Sequence, residues 1–174
     1  YPVVLKAHAA ELIHKTESGA VAVNLGDEKA LRAALDGMTK SIAKVDAFQV
    51  QEFVAGGTEV AVGAVRAEGL GTTVMFGLGG IFIEVLRDVR FGLAPLTDVA
   101  AERMIRRLQF AKLLGPFRGK PGVDEAKLQD VLLRVGRLVA DHPTIAEMDL
   151  NPVLAFADGA RTRVADVRIR VGKA

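Results

Sequence analysis

The chain has 174 residues, of which 50% are apolar, and its 23 basic and 21 acidic residues leave a formal net charge of +2. This length allows one domain, or two small subdomains that share a cleft, while the weak charge, the 5% of aromatic residues and the absence of Trp argue against a nucleic-acid-binding protein. The absence of cysteine excludes disulfide scaffolds, thiolate metal sites and cysteine nucleophiles, and no apolar stretch approaches the roughly eighteen residues of a membrane span.

The first part of the chain is predicted to combine strands with one helix. Asp27 is a suitable N-cap, and the apolar residues that follow it recur at helical spacing. The segment Ala55-Gly56-Gly57 separates two strand patterns, as in a hairpin. The predicted elements are strands at 2–6, 20–25, 47–54 and 58–66 and a helix over 28–43.

The second part is predicted to contain more strands and two further helices. Thr97 is a suitable cap for the first of these helices. Within 81–93, apolar residues that include Phe91 and Leu93 alternate with polar ones, which predicts that they are buried and that Asp88 lies on the other face. This mixed order favours the α+β class over a doubly wound sheet. The predicted elements are strands at 72–76, 81–93, 145–151, 152–157 and 163–171 and helices at 98–111 and 123–141.

Two carboxylates flank the predicted hairpin. Glu52 precedes the glycines and Glu59 follows them. They are either solvent-facing strand residues or part of a nucleoside site, in which a strand edge binds a base and a carboxylate accepts hydrogen bonds from sugar hydroxyls.

Asp149-Leu150-Asn151 is a candidate metal site. Residues at i and i+2 of a strand point to the same side, so Asp149 and Asn151 face one spot while Leu150 points into the core. Asp166 follows on a strand predicted to return beside them. Oxygen ligands of this kind suit Mg²⁺. Alternatively, the Asp and Asn side chains form the local hydrogen bonds of an Asx turn before Pro152.

Two further segments have both a structural and a functional interpretation. His14 lies in a polar segment beside Lys15, where most histidines have no special role. The glycine-rich segment 77–80 either cradles phosphate or bends the chain, but no Lys-Ser or Lys-Thr follows it, so it is not a Walker A motif.

Several segments together resemble a known family. In chain order they are Pro2–Lys6, Ile13–Thr16, Val50–Glu52, Gly56–Glu59, Val74–Asp88, Leu93–Thr97 and Glu147–Pro152. The sequence closely resembles, over essentially its whole length, the ATP-grasp domain of ADP-forming acyl-CoA synthetases, relatives of the succinyl-CoA synthetase β chain. The block at 74–88 and the Asp-x-Asn-Pro motif at 149–152 are specific, whereas Pro-Val-Val-Leu-Lys occurs in many ATP-grasp proteins.

The resemblance implies the ATP-grasp fold, in which two α+β subdomains grip the nucleotide. Residues 1–49 would belong to the first subdomain and residues 50–174 to the second. The family normally begins some tens of residues earlier, so we expect part of the first subdomain to be missing from this sequence.

The resemblance also implies roles for individual residues. Three would hold nucleotide, three would hold Mg²⁺ and one would carry a phosphoryl group. These are Lys6 for ATP phosphates, Glu52 for adenine, Glu59 for ribose, Asp149, Asn151 and Asp166 for Mg²⁺, and His14 for the phosphoryl group. At position 92 the family has arginine, so Gly92 would remove a cation that faces phosphate.

The activity implied is a reversible phosphoryl relay with ATP or ADP and Mg²⁺ as cofactors. Acyl-CoA and phosphate would give an acyl phosphate, a histidine would take its phosphoryl group, and ADP would accept it. The expected partners are CoA-binding domains or an α subunit, with a homo-oligomer left open, no nucleic acid or membrane partner, and a cytoplasmic location. Two alternatives are a regulatory domain of a lysine acetyltransferase and a nucleotide-binding module without turnover.

Overall fold

A computed structural model describes residues 1–9, 19–67, 69–80, 87–117, 119 and 121–172. By its internal contacts the chain divides into two compact units, Tyr1–Ala55 and Gly56–Ala174. The predicted division after residue 49 falls inside a strand, Ala47–Glu52, that pairs along its length with the first strand of the chain. The first unit therefore extends a few residues further, to Ala55.

The first unit is a three-stranded antiparallel sheet with one helix packed against it. α1 begins where the sequence predicts, because Asp27 Oδ1 accepts a hydrogen bond of 2.7 Å from the backbone N of Ala30. Leu5 and Ala7 of the central strand are buried with Met38 of the helix. The elements are β1 (Val3–His8), β2 (Val21–Leu25), α1 (Glu28–Ser41) and β3 (Ala47–Glu52), in the strand order β2-β1-β3.

The second unit is a larger antiparallel sheet with two α-helices. Its elements are β4 (Thr58–Ala67), β5 (Gly71–Leu78), β6 (Val89–Leu93), α2 (Asp98–Arg106), α3 (Glu125–Asp141), β7 (Ile145–Ala155), β8 (Arg163–Val164) and β9 (Val167–Val171), with short 3-10 turns at Ala111–Leu113 and Gly159–Arg161. The strand order is β6-β5-β4-β7, and β8 and β9 lie end to end along the other edge of β7. The prediction of an α+β fold is confirmed.

One side of this second sheet forms the main core. Val62, Phe76 and Leu150 of the sheet are buried together with Ile105 of α2 and Leu132 of α3. Residues that alternate with the core residues along each strand point to the other side. We call that side the Asp149 face, and it carries Val65, Met75, Phe91, Glu147, Asp149 and Arg168. No helix among the described residues has the length and hydropathy needed to cross a bilayer.

The predicted hairpin across Ala55-Gly56-Gly57 is wrong. β3 pairs with β1 in the first unit, whereas β4 pairs with β5 and β7 in the second. Both edges of β4 are occupied, one by β5 and the other by β7, so neither edge is left for β3. Gly56 and Gly57, with φ of 78° and 87°, therefore connect two sheets.

The two strands predicted on either side of Pro152 form one continuous strand, β7. Val62 and Val60 of β4 lie opposite Leu150 and Val153, so β7 has one residue more than its partner between these pairs. This bulge lets both Leu150 and Val153 face the core, at 8% and 0% exposure.

The predicted orientation of β6 is also wrong. Phe91 and Leu93 are 63% and 66% exposed, whereas Asp88 is buried. A Cβ added to Gly92 would lie 2.6 Å from Leu96 Cδ2, so position 92 faces the helices and the core. The side chain of an arginine at position 92 would leave the backbone on the helix side of the sheet. The glycine at this position therefore removes no cation from the Asp149 face. Residues 81–86 of this predicted strand lie outside the described part of the chain.

Asp88 fixes the start of β6 to the segment after α2. Its carboxylate accepts hydrogen bonds from the backbone N of Gln109 at 3.0 Å and of Phe110 at 2.8 Å, and it pairs with Arg90 at 3.1 Å. Arg90 Nε in turn donates to the backbone oxygen of Arg107 at 2.7 Å. One buried carboxylate thus satisfies two amides and one guanidinium.

We expect Asp88→Ala to lower the free energy of unfolding by about 3 kcal/mol, because it leaves two amides and a guanidinium without their acceptor. Urea unfolding of the variant and the parent measures this loss. Asp98→Ala, which removes an exposed acid from the first turn of α2, is the control and should cost less than about 1 kcal/mol. Equal losses in the two variants would contradict the anchoring role of Asp88.

Candidate functional site

Lys6 is a buried cation on β1. Leu5 and Ala7, its neighbours, pack towards α1, so Lys6 points to the opposite side of the first sheet. Only 6% of Lys6 is exposed. It lies opposite Gln49 of β3, whose Oε1 accepts a 3.0 Å hydrogen bond from Nε2 of His8. This side of the sheet therefore combines an ammonium group, an imidazole and an amide, a set that suits an anionic ligand.

Glu52 stands at the end of β3, opposite Val3 of β1, and is exposed. A shallow pocket of about 490 Å³ lies beside it, with a volume in the range of small-molecule sites. Among the described strands, β3 is paired on one side only, so part of its backbone faces outwards. The lining residues are Tyr1, Pro2, Val3, Val50, Gln51, Glu52 and Phe53.

Glu59 belongs to the second unit, on β4, so the structure does not place it with Glu52 on one hairpin. Its backbone oxygen accepts a 2.8 Å hydrogen bond from Gly79, and its carboxylate fills the space that a Cβ on Gly80 would need. A Cβ on Gly79 would lie 2.9 Å from the backbone of Val60. Gly79 and Gly80 therefore allow a close approach to β4, and the Glu59 carboxylate beside them disfavours a phosphate cradle there.

Asp149, Asn151 and Asp166 lie close together in the second unit. Asp149 and Asn151 are two residues apart on β7, and the backbone N of Asn151 donates a 3.3 Å hydrogen bond to the backbone oxygen of Asp166. All three are partly buried. The predicted return of the chain beside β7 is confirmed, since β9 pairs with it directly after Asp166.

Burial raises the pKa of the Asp149 carboxyl above its usual range. The positive charge of Arg168 opposes this rise, while Asp166 and Glu147 add to it. Asp149 is thus a half-buried carboxylate whose ionised form is poorly solvated. A cation at this position would recover the lost solvation energy.

The donors present fit a Mg²⁺ ion that keeps part of its hydration shell. Within the described ranges, no three His, Asp or Glu side chains form a group able to hold a metal. The site instead offers two carboxylates and one amide, Asp149, Asp166 and Asn151. Magnesium is commonly held by one or two carboxylates together with waters and phosphate oxygens, so this set is sufficient for a nucleotide-bound ion.

His14 lies outside the described residues, so its assignment stays a prediction. The ends of its segment are described on both sides: Ala7 donates a 2.8 Å backbone hydrogen bond to Ala20. The segment between them therefore starts and ends on neighbouring strands, β1 and β2.

Sequence reasoning missed the two arginines on β9. Arg170 donates to Glu147 Oε2 at 3.1 Å, and Arg168 stands opposite Asp149 in the strand pairing. The alternation Val-Arg-Ile-Arg-Val, starting one residue after Asp166, contained this signal. Residues at this spacing share one face, and that face is the one that carries the candidate metal ligands.

Comparison with known proteins gives a consistent result. The model of a family described as "ATP-grasp domain" matches residues 1–171. A 4-hydroxybutyrate–CoA ligase (ADP-forming) of Nitrosopumilus maritimus is 39% identical over 97% of this chain, which spans only 25% of that protein's length. The β subunit of acetate–CoA ligase (ADP-forming) I of Pyrococcus furiosus is 37% identical over 92% of this chain and 72% of the subunit.

A solved structure is similar over nearly the whole chain. It is the dinucleotide-forming acetyl-coenzyme A synthetase 1 of Ca. Korarchaeum cryptofilum in complex with coenzyme A and Mg-AMPPCP, with its phosphohistidine segment pointing towards the nucleotide binding site. The TM-score is 0.86 at 43% identity, over 99% of this chain and 77% of that one. The fold described above is therefore shared with that solved protein.

Proposed function

This chain belongs to the ATP-grasp domain family of the ADP-forming acyl-CoA synthetases, and we propose that it exchanges a phosphoryl group between His14 and magnesium-bound ADP. The full reaction proposed is the conversion of acyl-CoA, ADP and phosphate to a carboxylic acid, CoA and ATP, in either direction. The relatives described above are CoA ligases and favour this function over a regulatory domain or a non-catalytic module.

The observation that best supports the proposal is the grouping of Asp149, Asn151 and Asp166. Strand pairing brings two carboxylates and an amide to one corner of the second sheet, although Asp166 comes 15 residues after Asn151 in the chain. Asp149 is also a half-buried carboxylate whose pKa is raised by burial. Such a group favours a bound cation.

The side chains of the two units have separate tasks in this proposal. Lys6, a compact cation held on a strand, would bind nucleotide phosphates, and its burial strengthens its attraction for them. Glu52 and the strand edge around it would bind adenine, and Glu59 would bind the ribose hydroxyls. When bound, Mg²⁺ would neutralise charge on the phosphate oxygens.

The proposed transfer step balances when the second ring nitrogen of the phosphorylated His14 carries a proton, because the ring then leaves as a neutral imidazole. The phosphoryl group would leave the imidazole nitrogen of His14 for the terminal phosphate oxygen of ADP, so an N–P bond breaks while a P–O bond forms and the electron pair returns to the ring. Such a step depends mainly on positioning and on charge neutralisation, which are the tasks assigned to Lys6 and to the oxygen ligands.

We propose that CoA and the acyl group bind elsewhere in the synthetase, on CoA-binding domains or on an α subunit. Two observations support this. The chain spans a quarter of the Nitrosopumilus ligase, and the Pyrococcus relative is a separate subunit β. The side chains assigned above would bind nucleotide and metal, and none of them is assigned a role in CoA or acyl binding.

We expect adenine nucleotide binding by the full-length protein to depend on Mg²⁺. Calorimetric titration with ATP should give at least about tenfold tighter binding with Mg²⁺ than with EDTA, because the carboxylates repel metal-free phosphates. Titration with AMP is the control, since a nucleotide without a polyphosphate gains little from the metal. An ATP affinity unaffected by Mg²⁺ would contradict the assignment of Asp149, Asn151 and Asp166.

A further inference from the structure

Two acids on β7 face two arginines on β9. Glu147 lies opposite Arg170, and Asp149 lies opposite Arg168. The first pair forms a direct contact, with Arg170 Nε 3.1 Å from Glu147 Oε2. Glu147 and Arg170 therefore form an exposed surface ion pair, which contributes little to stability.

Arg168 is placed differently, because its neighbours are the proposed metal ligands. It stands across from Asp149 and two residues after Asp166. Directly opposed residues of antiparallel strands have their Cβ atoms about 4.5–5.5 Å apart on the same face. The charge of Arg168 also holds the pKa of Asp149 lower than burial alone would set it. Arg168 therefore places one permanent positive charge beside Asp149, within the cluster of proposed metal ligands.

We infer that Arg168 makes metal binding depend on nucleotide, so that the site selects a divalent cation bound to a polyphosphate over the free cation. This inference rests on the proposed function, since it takes Asp149 and Asp166 as metal ligands. It assigns to Arg168 a specificity role that the metal ligands alone do not supply.

The physical basis is the charge of the cluster. Asp149 and Asp166 contribute two negative charges and Arg168 one positive charge, which leaves a single negative charge for a divalent ion. A free cation is repelled by the guanidinium at close range, whereas the phosphates of a nucleoside diphosphate or triphosphate bring negative charge that compensates for it. A guanidinium also donates strong hydrogen bonds to phosphate oxygens, so Arg168 would itself stabilise the bound metal–nucleotide complex.

The test measures free metal and metal–nucleotide binding separately. Mn²⁺ replaces Mg²⁺ because it also prefers oxygen ligands and its free concentration is measurable by electron paramagnetic resonance. The full-length parent, Arg168→Gln, Arg168→Lys and Arg170→Gln are titrated with Mn²⁺, with and without ADP. Asp149→Asn gives the background from other sites.

We expect Arg168→Gln to bind free Mn²⁺ about tenfold more tightly than the parent, the effect of one unit charge about 5–6 Å from a divalent ion in a water-like medium. The gain in Mn²⁺ affinity on adding ADP should shrink in this variant. Arg168→Lys, which keeps the charge, should behave like the parent. Arg170→Gln removes the same charge from the same strand but lies beside Glu147, so it should change free Mn²⁺ affinity by no more than about threefold.

Two results would overturn the inference: free Mn²⁺ affinity unchanged in Arg168→Gln, or an equal rise in Arg170→Gln. If Mn·ADP still binds to the parent and is lost in Asp149→Asn, only the role of Arg168 fails. If the parent itself binds no Mn·ADP, the proposed function fails and this inference with it. Arg168 is exposed on an edge strand, so the substitutions should leave the fold intact, which thermal melting checks.

Discussion

Asp149→Asn is expected to weaken Mg·ATP binding by at least about a hundredfold while raising the melting temperature of the nucleotide-free protein. The loss of affinity follows from removing a charged metal ligand. Substitutions of residues that only hydrogen-bond to a metal ligand already lower metal affinity by about 10–100-fold. The gain in stability follows from burial, which raises the pKa of Asp149 in the folded protein. At neutral pH the folded state thus contains a poorly solvated carboxylate, and asparagine removes its charge.

The pH dependence of this gain has a definite sign. A carboxyl whose pKa is raised on folding stabilises the folded protein fully only below its unfolded pKa, which is about 3.9. This stabilisation is lost as the pH rises through the pKa that the carboxyl has in the folded protein. The difference in melting temperature between Asp149→Asn and the parent should therefore be largest at pH 7–8 and vanish towards pH 4. Thermal melting across this range, with calorimetry for Mg·ATP at pH 7.5, measures both effects.

Two variants on the same strand serve as controls. Glu147→Gln removes an exposed, ion-paired carboxylate, so it should neither stabilise the protein nor change Mg·ATP affinity by more than about threefold. Asn151→Ala removes a neutral oxygen and should weaken Mg·ATP binding less than Asp149→Asn, because charge-assisted contacts are about twice as strong. If Asp149→Asn and Asn151→Ala both melt several degrees lower and bind Mg·ATP like the parent, the residues stabilise the turn before Pro152 and hold no metal.

His14→Gln is expected to abolish the overall reaction, with a loss of at least about 10⁴-fold in ATP formation from acyl-CoA, ADP and phosphate, because glutamine cannot carry the phosphoryl group. Mg·ADP affinity should stay within about threefold of the parent, since no nucleotide contact is assigned to His14. The measurement is a coupled assay of ATP formation together with calorimetry. His142→Gln, at the exposed end of α3, is the matched control and should retain full activity. Residual activity of His14→Gln near that of this control would exclude His14 as the carrier.

Local sequence signals were sufficient for the helix starts and for the orientation of Leu150, whereas the roles of Asp149 and Asn151 as metal ligands stay a prediction. Asp27 and Thr97 cap the helices that they were predicted to cap. In each case the side-chain oxygen accepts a hydrogen bond from the backbone N three residues further along the chain. The alternation Asp149-Leu150-Asn151 correctly placed Leu150 in the core. In both cases the determining contacts lie close together in sequence.

Signals that depend on distant partners were misleading. Glycines between two strand patterns predicted a hairpin, but β3 pairs with β1, which comes much earlier in the chain. Alternation in β6 identified two faces but not which of them the helices cover, and Gly92 rather than Phe91 faces the core. Arg168 gains its significance only from the register of β9 against β7. Pairing and register are set by the whole sheet, so no local pattern reveals them.

Labelling with [γ-³²P]ATP tests whether this chain passes a phosphoryl group between His14 and a magnesium-bound nucleotide. Full-length protein incubated with labelled ATP and Mg²⁺ should acquire an acid-labile, base-stable label, as expected for a phosphohistidine, and added ADP should remove it as labelled ATP. The label should be absent without Mg²⁺ and in His14→Gln, and strongly reduced in Asp149→Asn. A label that persists in His14→Gln, or no label on a parent protein that binds Mg·ATP, would exclude His14 as the phosphoryl carrier.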